Sequence, residues 1–225
     1  MKVLIVEDDR QIGAVLTTAL RDAGFAVDCT PDGEEGEFLG QTETYDAVVL
    51  DLGLPGMDGL SILKAWRDAG RTMPVLILTA REEWSEKVKG FRAGADDYVT
   101  KPFRTEEVTM RLRSLIRRAA GHANSIITCG PLSLDTQLGL VSRDGLPLKL
   151  TAFEFQVLGY LLHHVDRVIT RAEMSEHLYE RDTERDFNSI EVIIGRLRKK
   201  VGAAMIETVR GQGYRLSAPA PSEPA

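Results

Sequence analysis

Five times in its first 118 residues this chain alternates a short apolar run with a longer stretch of helical period, and that alternation leaves it very few folds. The runs fall at residues 3–6, 26–30, 47–50, 75–78 and 97–99. The helical stretches fall at 11–23, 33–40, 59–68, 84–93 and 105–118. The third run, Ala47-Val48-Val49-Leu50, is apolar at every position, so both of its faces must be covered. Strand and helix units of this kind build a doubly wound α/β domain, with a mostly parallel sheet between two layers of helix.

After Arg118 the pattern stops at Ala119-Ala120-Gly121-His122-Ala123-Asn124-Ser125, a small and polar stretch that reads as a linker over 119–125. Short strand-like pieces follow in 126–150, broken by Gly130-Pro131, Asp144-Gly145 and Pro147, and imply a small antiparallel sheet. Helical segments near 152–165, 171–178 and 187–201 come next, then a closing hairpin with Gly211 and Gly213. The second domain is therefore α+β over 126–217. The Pro- and Ala-rich tail, 218–225, cannot form a core and is expected to be disordered.

Composition narrows the setting. Cys29 and Cys129 lie far apart without metal-ligand spacing, which fits free thiols in a reducing compartment. The apolar run that opens the chain is too short for a signal peptide or a membrane span, so a cytoplasmic protein with no membrane partner is expected. The formal charge of −6 is uneven. Residues 1–120 carry 16 Lys and Arg against 21 Asp and Glu, whereas 196–217 hold six basic groups against Glu207 alone. A basic surface can form there.

In an open parallel sheet functional groups collect at the carboxyl ends of the strands. Here those ends carry Glu7 and Asp8 after the first strand, Asp51 after the third and Thr79 after the fourth, with Lys101 just past the fifth. Clustered carboxylates repel unless a cation compensates, and a hard divalent ion with oxygen ligands, Mg²⁺, suits such a rim. Asp51 can then attack phosphorus as a carboxylate nucleophile and form an acyl phosphate. Lys101 can neutralise charge on the transferring group, and the Thr79 hydroxyl can donate to a phosphoryl oxygen.

The words Val6-Glu7-Asp8-Asp9, Asp51 with Leu54-Pro55-Gly56-Met57-Asp58-Gly59, Thr79-Ala80, and Gly94-Ala95-Asp96-Asp97-Tyr98-Val99-Thr100-Lys101-Pro102-Phe103 resemble the receiver domain of two-component response regulators over residues 1–118. The resemblance implies a flavodoxin-like sheet of five parallel strands in the order 2-1-3-4-5. It implies that Asp51 takes phosphate from a cognate histidine kinase, and that Asp8, Asp51 and the Gly53 carbonyl ligate Mg²⁺ while Glu7 acts through water. A cis Lys101-Pro102 peptide is implied too. Gly53 and Arg81 sit where the family tunes phosphoryl lifetime.

Tyr98 and Thr79 read as a switch, in which the aromatic ring moves inward once Thr79 turns to the phosphoryl group; Ala80 leaves room beside it. In the OmpR/PhoB branch, which this chain resembles, phosphorylation produces a homodimer. The resemblance pairs Lys87 with Glu107, Asp97 with Arg111 and Asp96 with Arg118 across protomers. Glu107 and Arg111 are also four apart on one helix, where an internal ion pair is the simpler expectation.

In the segment 187–201, Ile190, Ile194, Leu197 and Val201 repeat at helical spacing and should face a core, leaving Arg196, Arg198 and Lys199 outside that stripe. Asn188 and Glu191 could cap this helix mutually. A basic hairpin follows, Thr208-Val209-Arg210-Gly211-Gln212-Gly213-Tyr214, and the pair fits a helix in the major groove with a wing along the minor groove. With Leu150-Thr151-Ala152-Phe153-Glu154-Phe155 and Leu197-Arg198-Lys199-Lys200, these words resemble the winged helix-turn-helix effector of the same branch. The resemblance carries DNA contacts to Asn188, Arg196, Arg198, Lys199, Thr208, Arg210 and Gly211. Ile193 and Gly195 depart from the family pattern, and Ile193 could touch a thymine methyl.

The reading is a transcription factor that accepts phosphate on Asp51, dimerises, and binds double-stranded promoter DNA at direct-repeat half-sites, with RNA polymerase a possible further partner. Beyond self-phosphorylation and slow self-dephosphorylation it is not an enzyme. Two alternatives stand beside it: a constitutive DNA binder with a vestigial receiver, and an aspartate-nucleophile phosphohydrolase. The second needs an acid two residues after the nucleophile, where this chain has Gly53.

Overall fold

The computed structural model describes residues 1–80, 90–180 and 187–218, and of residues 187–189 only the backbone. Arg81, Lys87 and most of the expected helical stretch 84–93 lie outside the described residues, as does the tail beyond residue 218; a helical turn over 90–93 is described.

The N-terminal unit is a parallel sheet of β1 (Lys2–Val6), β2 (Ala26–Thr30), β3 (Ala47–Asp51), β4 (Val75–Thr79) and β5 (Asp97–Thr100), in the order 2-1-3-4-5. Because strand side chains alternate, the continuous apolar runs divide between two cores. Val3, Ile5, Val49, Leu76 and Leu78 face Leu16 and Leu20 of α1 (Arg10–Asp22) and Val108 and Leu112 of α4 (Thr105–Ala119). Leu4, Val6, Val48, Leu50 and Ile77 face Leu39 of α2 (Gly33–Thr42) and Ile62, Leu63 and Trp66 of α3 (Gly59–Asp68). Acidic caps start the first three helices. Asp9, Asp32 and Asp58 accept from backbone N–H groups one turn ahead, at 2.8, 2.9 and 3.1 Å.

Among the described residues the expected element bounds agree with the structure to within about two residues, the helix expected over 84–93 apart, and helix α4 runs one residue into the stretch read as linker.

The C-terminal unit begins with an antiparallel sheet, β6 (Ile126–Cys129), β7 (Leu132–Asp135), β8 (Leu140–Arg143) and β9 (Leu146–Pro147). Helices α5 (Ala152–His163), α6 (Arg171–Leu178) and α7 (Phe187–Val201) follow, and α5 opens with a capping box between Thr151 and Glu154. The closing hairpin, β11 (Ile206–Val209) and β12 (Gly213–Leu216), is joined by β10 (Val168–Thr170), a three-residue strand too short to show a period in sequence. Ile190, Ile193, Ile194, Leu197 and Val201 of α7 enter one core with Leu158, Leu161 and Leu162 of α5.

Candidate functional site

The carboxyl ends of the parallel strands bring the expected groups together. One ligand oxygen each from Glu7, Asp8 and Asp51 lies within 4.8 Å of the others; Glu7 and Asp51 are buried and Asp8 is exposed. Asp9 is occupied in capping α1, so of the two adjacent acids it is Asp8 that joins the cluster. Lys101 is held beside Thr79 by its backbone, its N–H donating to the Thr79 carbonyl at 2.8 Å. The Lys101 ammonium reaches Glu7 Oε1 at 2.8 Å and Asp51 Oδ2 at 3.2 Å. The Lys101-Pro102 peptide is cis, as the resemblance implies.

Electrostatics at this rim pull in opposite directions. Burial pushes the Glu7 carboxyl up, the Lys101 hydrogen bond draws it back, and the Asp51 charge raises it again. Burial also disfavours the Lys101 ammonium, but hydrogen bonding to Glu7 and the Asp51 charge outweigh it and hold that group above its ordinary value. Lys101 is therefore a fixed cation beside Asp51. Glu7 Oε2 is buried without a hydrogen-bond partner. An orphaned carboxylate oxygen is costly, and in a set of oxygen donors that opens to solvent at Asp8 it fits a hard divalent cation.

The turn after Asp51 is built for close approach. A Cβ on Gly59 would collide with the Asp51 carbonyl, while one on Gly53 would stand 3.4 Å from Asp51 Oδ2. Glycine at 59 is thus a requirement of packing, whereas Gly53 leaves open space beside the carboxylate.

Tyr98, expected to switch with Thr79, is buried in this structure and tilted against Phe91 with ring centroids 4.7 Å apart. Its hydroxyl occupies the space where Gly90 would carry a Cβ. The missing side chain at Gly90 is what admits the ring.

Among the described residues, those expected to pair across protomers are engaged within one chain; Lys87 lies outside them. Arg111 lies 2.8 Å from both Asp97 and Glu107. The Asp96 carboxylate accepts from the Val75 N–H at 2.8 Å and lies 3.3 Å from Arg67, and the Arg118 guanidinium donates to the Ser114 carbonyl at 3.3 Å.

On α7 the outward face carries Glu191, Val192, Gly195, Arg196 and Lys199. Two readings of this helix are corrected. Ile193 is 7% exposed, because it lies about 60° around the helix from Ile190 and so within the apolar stripe, and it cannot touch a base. Val192, 52% exposed, is the apolar residue that faces outward. Asn188 is the second residue of the helix, so it cannot be the extended residue that a capping box requires, and Glu191 pairs instead with Arg171 at the start of α6.

The basic count of 196–217 also divides. Arg198 donates to the Ile206 carbonyl at 2.8 Å and to the Thr208 hydroxyl at 2.7 Å, bracing the hairpin against α7. Lys200 binds Glu154 at 2.6 Å and Arg215 binds Glu207 at 2.6 Å. Arg196, Lys199 and Arg210 remain on the surface, and Gly211 turns the hairpin with a φ of 72°.

The response regulator receiver domain model matches residues 3–113, and the model for the C-terminal domain of transcriptional regulatory proteins matches residues 145–216. The two-component response regulator PhoP of Pseudomonas aeruginosa is 46% identical over 218 residues, which cover 95% of this chain and 97% of that protein. The transcriptional regulatory protein QseB of Escherichia coli O157:H7 is 44% identical over 216 residues, 96% of this chain and 99% of its own length. Among solved structures, the receiver domain of the Francisella response regulator 1452 aligns with a TM-score of 0.51 at 37% identity, covering 52% of this chain and 98% of that one. A receiver sheet joined to a winged helix defines the transcription regulators that respond to phosphorylation. The chain belongs to the OmpR/PhoB family of these response regulators.

Proposed function

We propose that Asp51 is the phosphoacceptor, that phosphorylation there pairs two receivers, and that the pair places two winged helices on direct-repeat half-sites of promoter DNA. The observation that carries this is the convergence of Glu7, Asp8, Asp51 and Lys101 on one strand-end rim, with one buried carboxylate oxygen left without a donor. Residues 1–118 serve as the receiver, 119–125 as the linker and 126–217 as the effector. The acidic rim lies in the cytoplasm, where a histidine kinase presents the phosphoryl group; among the described residues no helix is long and apolar enough to cross a membrane.

Asp8 and Asp51, with the Gly53 carbonyl and with Glu7 acting through water, would hold Mg²⁺, which offsets charge on the phosphoryl oxygens when bound. An Asp51 carboxylate oxygen attacks phosphorus as the bond to the kinase histidine nitrogen breaks, and the bonding pair leaves with the imidazole. Lys101 then stands beside the new acyl phosphate, and the Thr79 hydroxyl donates to one of its oxygens. Tyr98, packed between Gly90 and Phe91, reports the change to the dimer face formed by Lys87, Asp96, Asp97, Glu107, Arg111 and Arg118.

On DNA, Arg196 and Lys199 approach the major groove with Val192 positioned for a thymine methyl; Asn188 carries over from the family at the helix start. Arg210 and Gly211 follow the wing, while Arg198 and Thr208 act together to fix its angle. RNA polymerase is a further partner of the DNA-bound dimer.

The test is incubation with a small phosphodonor and Mg²⁺, followed by mass spectrometry of the intact chain and its peptides. One acid-labile phosphoryl group on the Asp51 peptide, absent in Asp51→Asn, is expected. Labelling elsewhere, or rapid multiple-turnover release of phosphate from phosphomonoesters, contradicts the proposal.

A further inference from the structure

Among the described residues of α7 the outward face carries one acid, Glu191, beside Val192, Gly195, Arg196 and Lys199. Its carboxylate is held by Arg171, the first residue of α6, whose guanidinium pairs with Glu191 Oε1. The two partners come from different helices. Arg171 also lines a cleft of about 660 Å³ between the start of α6 and the closing hairpin, with Thr170, Gly211 and Gln212 around it. The pair thus lies beside both α7 and the wing, on the side of the effector that the proposed function turns toward DNA.

Stability does not account for this pair. Its side chains are 54% and 51% exposed, and an ion pair so open to solvent is screened and holds a fold together only weakly. The helix dipole does not account for it either, because Glu191 is the fifth residue of α7 and the effect fades beyond the first turn. On a surface that meets a polyanion the carboxylate is a handicap, since phosphates repel it whatever the sequence. Something in the groove has to offset that repulsion.

The base edges of the major groove hold two kinds of donor, the N4 amino group of cytosine and the N6 amino group of adenine. Guanine and thymine present acceptors there, and an ionised carboxylate, which only accepts, is repelled by them. Adenine sets its N7 acceptor beside N6, whereas cytosine shows N4 without an acceptor of its own. Cytosine is the better match. Gly195 clears the approach: it lies one turn beyond Glu191, a side chain there would lean back over that turn, and nothing stands within 4 Å of where its Cβ would be. We infer that Glu191 reads the N4 amino group of a cytosine in each half-site, next to the thymine met by Val192, and that Arg171 is the positioning residue that fixes the carboxylate for this contact. The inference rests on the DNA-facing α7 of the proposed function. Arg171 engages Oε1, which leaves Oε2 for the base, and its charge offsets the carboxylate against the phosphates. The half-site thereby acquires a chemical signature, a C·G pair adjoining a thymine methyl on either strand.

The experiment compares wild type, Glu191→Ala, Glu191→Gln, Arg171→Ala and Arg171→Lys as full chains with beryllofluoride and Mg²⁺. Each selects duplexes from a random pool, anisotropy reads affinity for the wild-type sequence and its single-pair variants, and melting temperatures are followed alongside. Wild type is expected to select one C·G pair next to a thymine in each half-site, and replacing that pair with T·A should weaken binding about tenfold. Glu191→Ala loses discrimination at that pair alone, with an unchanged melting temperature. Glu191→Gln moves the preference there to A·T, because an amide both donates to N7 and accepts from N6. Arg171→Ala weakens the same discrimination, Arg171→Lys restores it, and Arg171→Ala adds nothing at that pair in the Glu191→Ala background. Identical selected sequences from wild type and Glu191→Ala would overturn the inference. So would a loss spread evenly over every position together with a lowered melting temperature, which is the signature of a tether between helices. A wild type that prefers no duplex sequence counts against the proposed function itself, and the reading of Glu191 falls with it.

Discussion

The two ends of the receiver sheet hold similar chemistry and put it to different use. At the amino end, Lys2 is fully buried and lies 2.8 Å from Asp28, which also accepts the Tyr45 hydroxyl at 2.8 Å; Asp46 is shared between the Lys2 amide and His177. At the carboxyl end, Lys101 serves two carboxylates, Asp8 is exposed, and Glu7 Oε2 has no partner. Both ends set a lysine among acids. The difference lies in completion: a closed set of contacts makes a structural joint, and an incomplete one suits the cation and phosphoryl group of the proposed function.

The largest test of that contrast is the loss of each lysine. Lys2→Met leaves the Asp28 charge buried without its cation and should cost about 3–5 kcal/mol in urea unfolding. Lys101→Met should change stability by no more than about 1 kcal/mol, because its side chain reaches solvent and Glu7 can take up a proton, while phosphoryl signalling is lost. Equal destabilisation by the two substitutions would erase the distinction.

Acidity should separate the ends next. Burial works to raise the Asp46 carboxyl, but the His177 hydrogen bond and the nearby N-terminal ammonium prevail and hold it below the ordinary range. Its contribution to stability is present above the ordinary carboxylate value and is lost as pH falls through the depressed one. Glu7 is raised, so its contribution has the opposite sign: present below the ordinary value and lost as pH rises through the raised one. Urea midpoints against pH should therefore show Asp46→Asn weaker than wild type at neutral pH, with the gap closing in acid. Glu7→Gln should be more stable than wild type at neutral pH, and its advantage should also vanish in acid. Parallel signs at neutral pH would break the comparison.

A smaller effect divides the basic groups of the effector. Arg210→Ala should weaken all DNA sequences similarly and reduce the salt slope of binding by about one. Arg198→Ala removes the brace to Ile206 and Thr208, so it should lower thermal stability as well as affinity. A loss confined to one base pair in Arg210→Ala would contradict its place in the wing.

Much of this was legible in the chain itself. Continuous apolar runs located the strands, acids before helices located the caps, and strand ends located Glu7, Asp8, Asp51, Thr79 and Lys101, because each signal is local and periodic. Free thiols at Cys29 and Cys129 follow from spacing in the same way. The joint between the halves was not legible: Arg21 and Glu180 are 159 residues apart, Asp46 and His177 131, and neither pair has a period or a motif. Gly90 escaped for a different reason, since an absent side chain acquires meaning only when the Tyr98 hydroxyl is seen in its place. At Ile193 and Val192 a rotation of one residue on the helix exchanged core and surface.

On the proposed function, an acyl phosphate at Asp51 governs occupation of DNA. Anisotropy titration of a tandem half-site duplex, with and without beryllofluoride and Mg²⁺, tests it most directly in wild type and Asp51→Asn. Wild-type affinity is expected to rise about tenfold, within the usual range of coupling between sites, and Asp51→Asn is expected not to respond. Equal responses in the two proteins, or none in wild type, would contradict it.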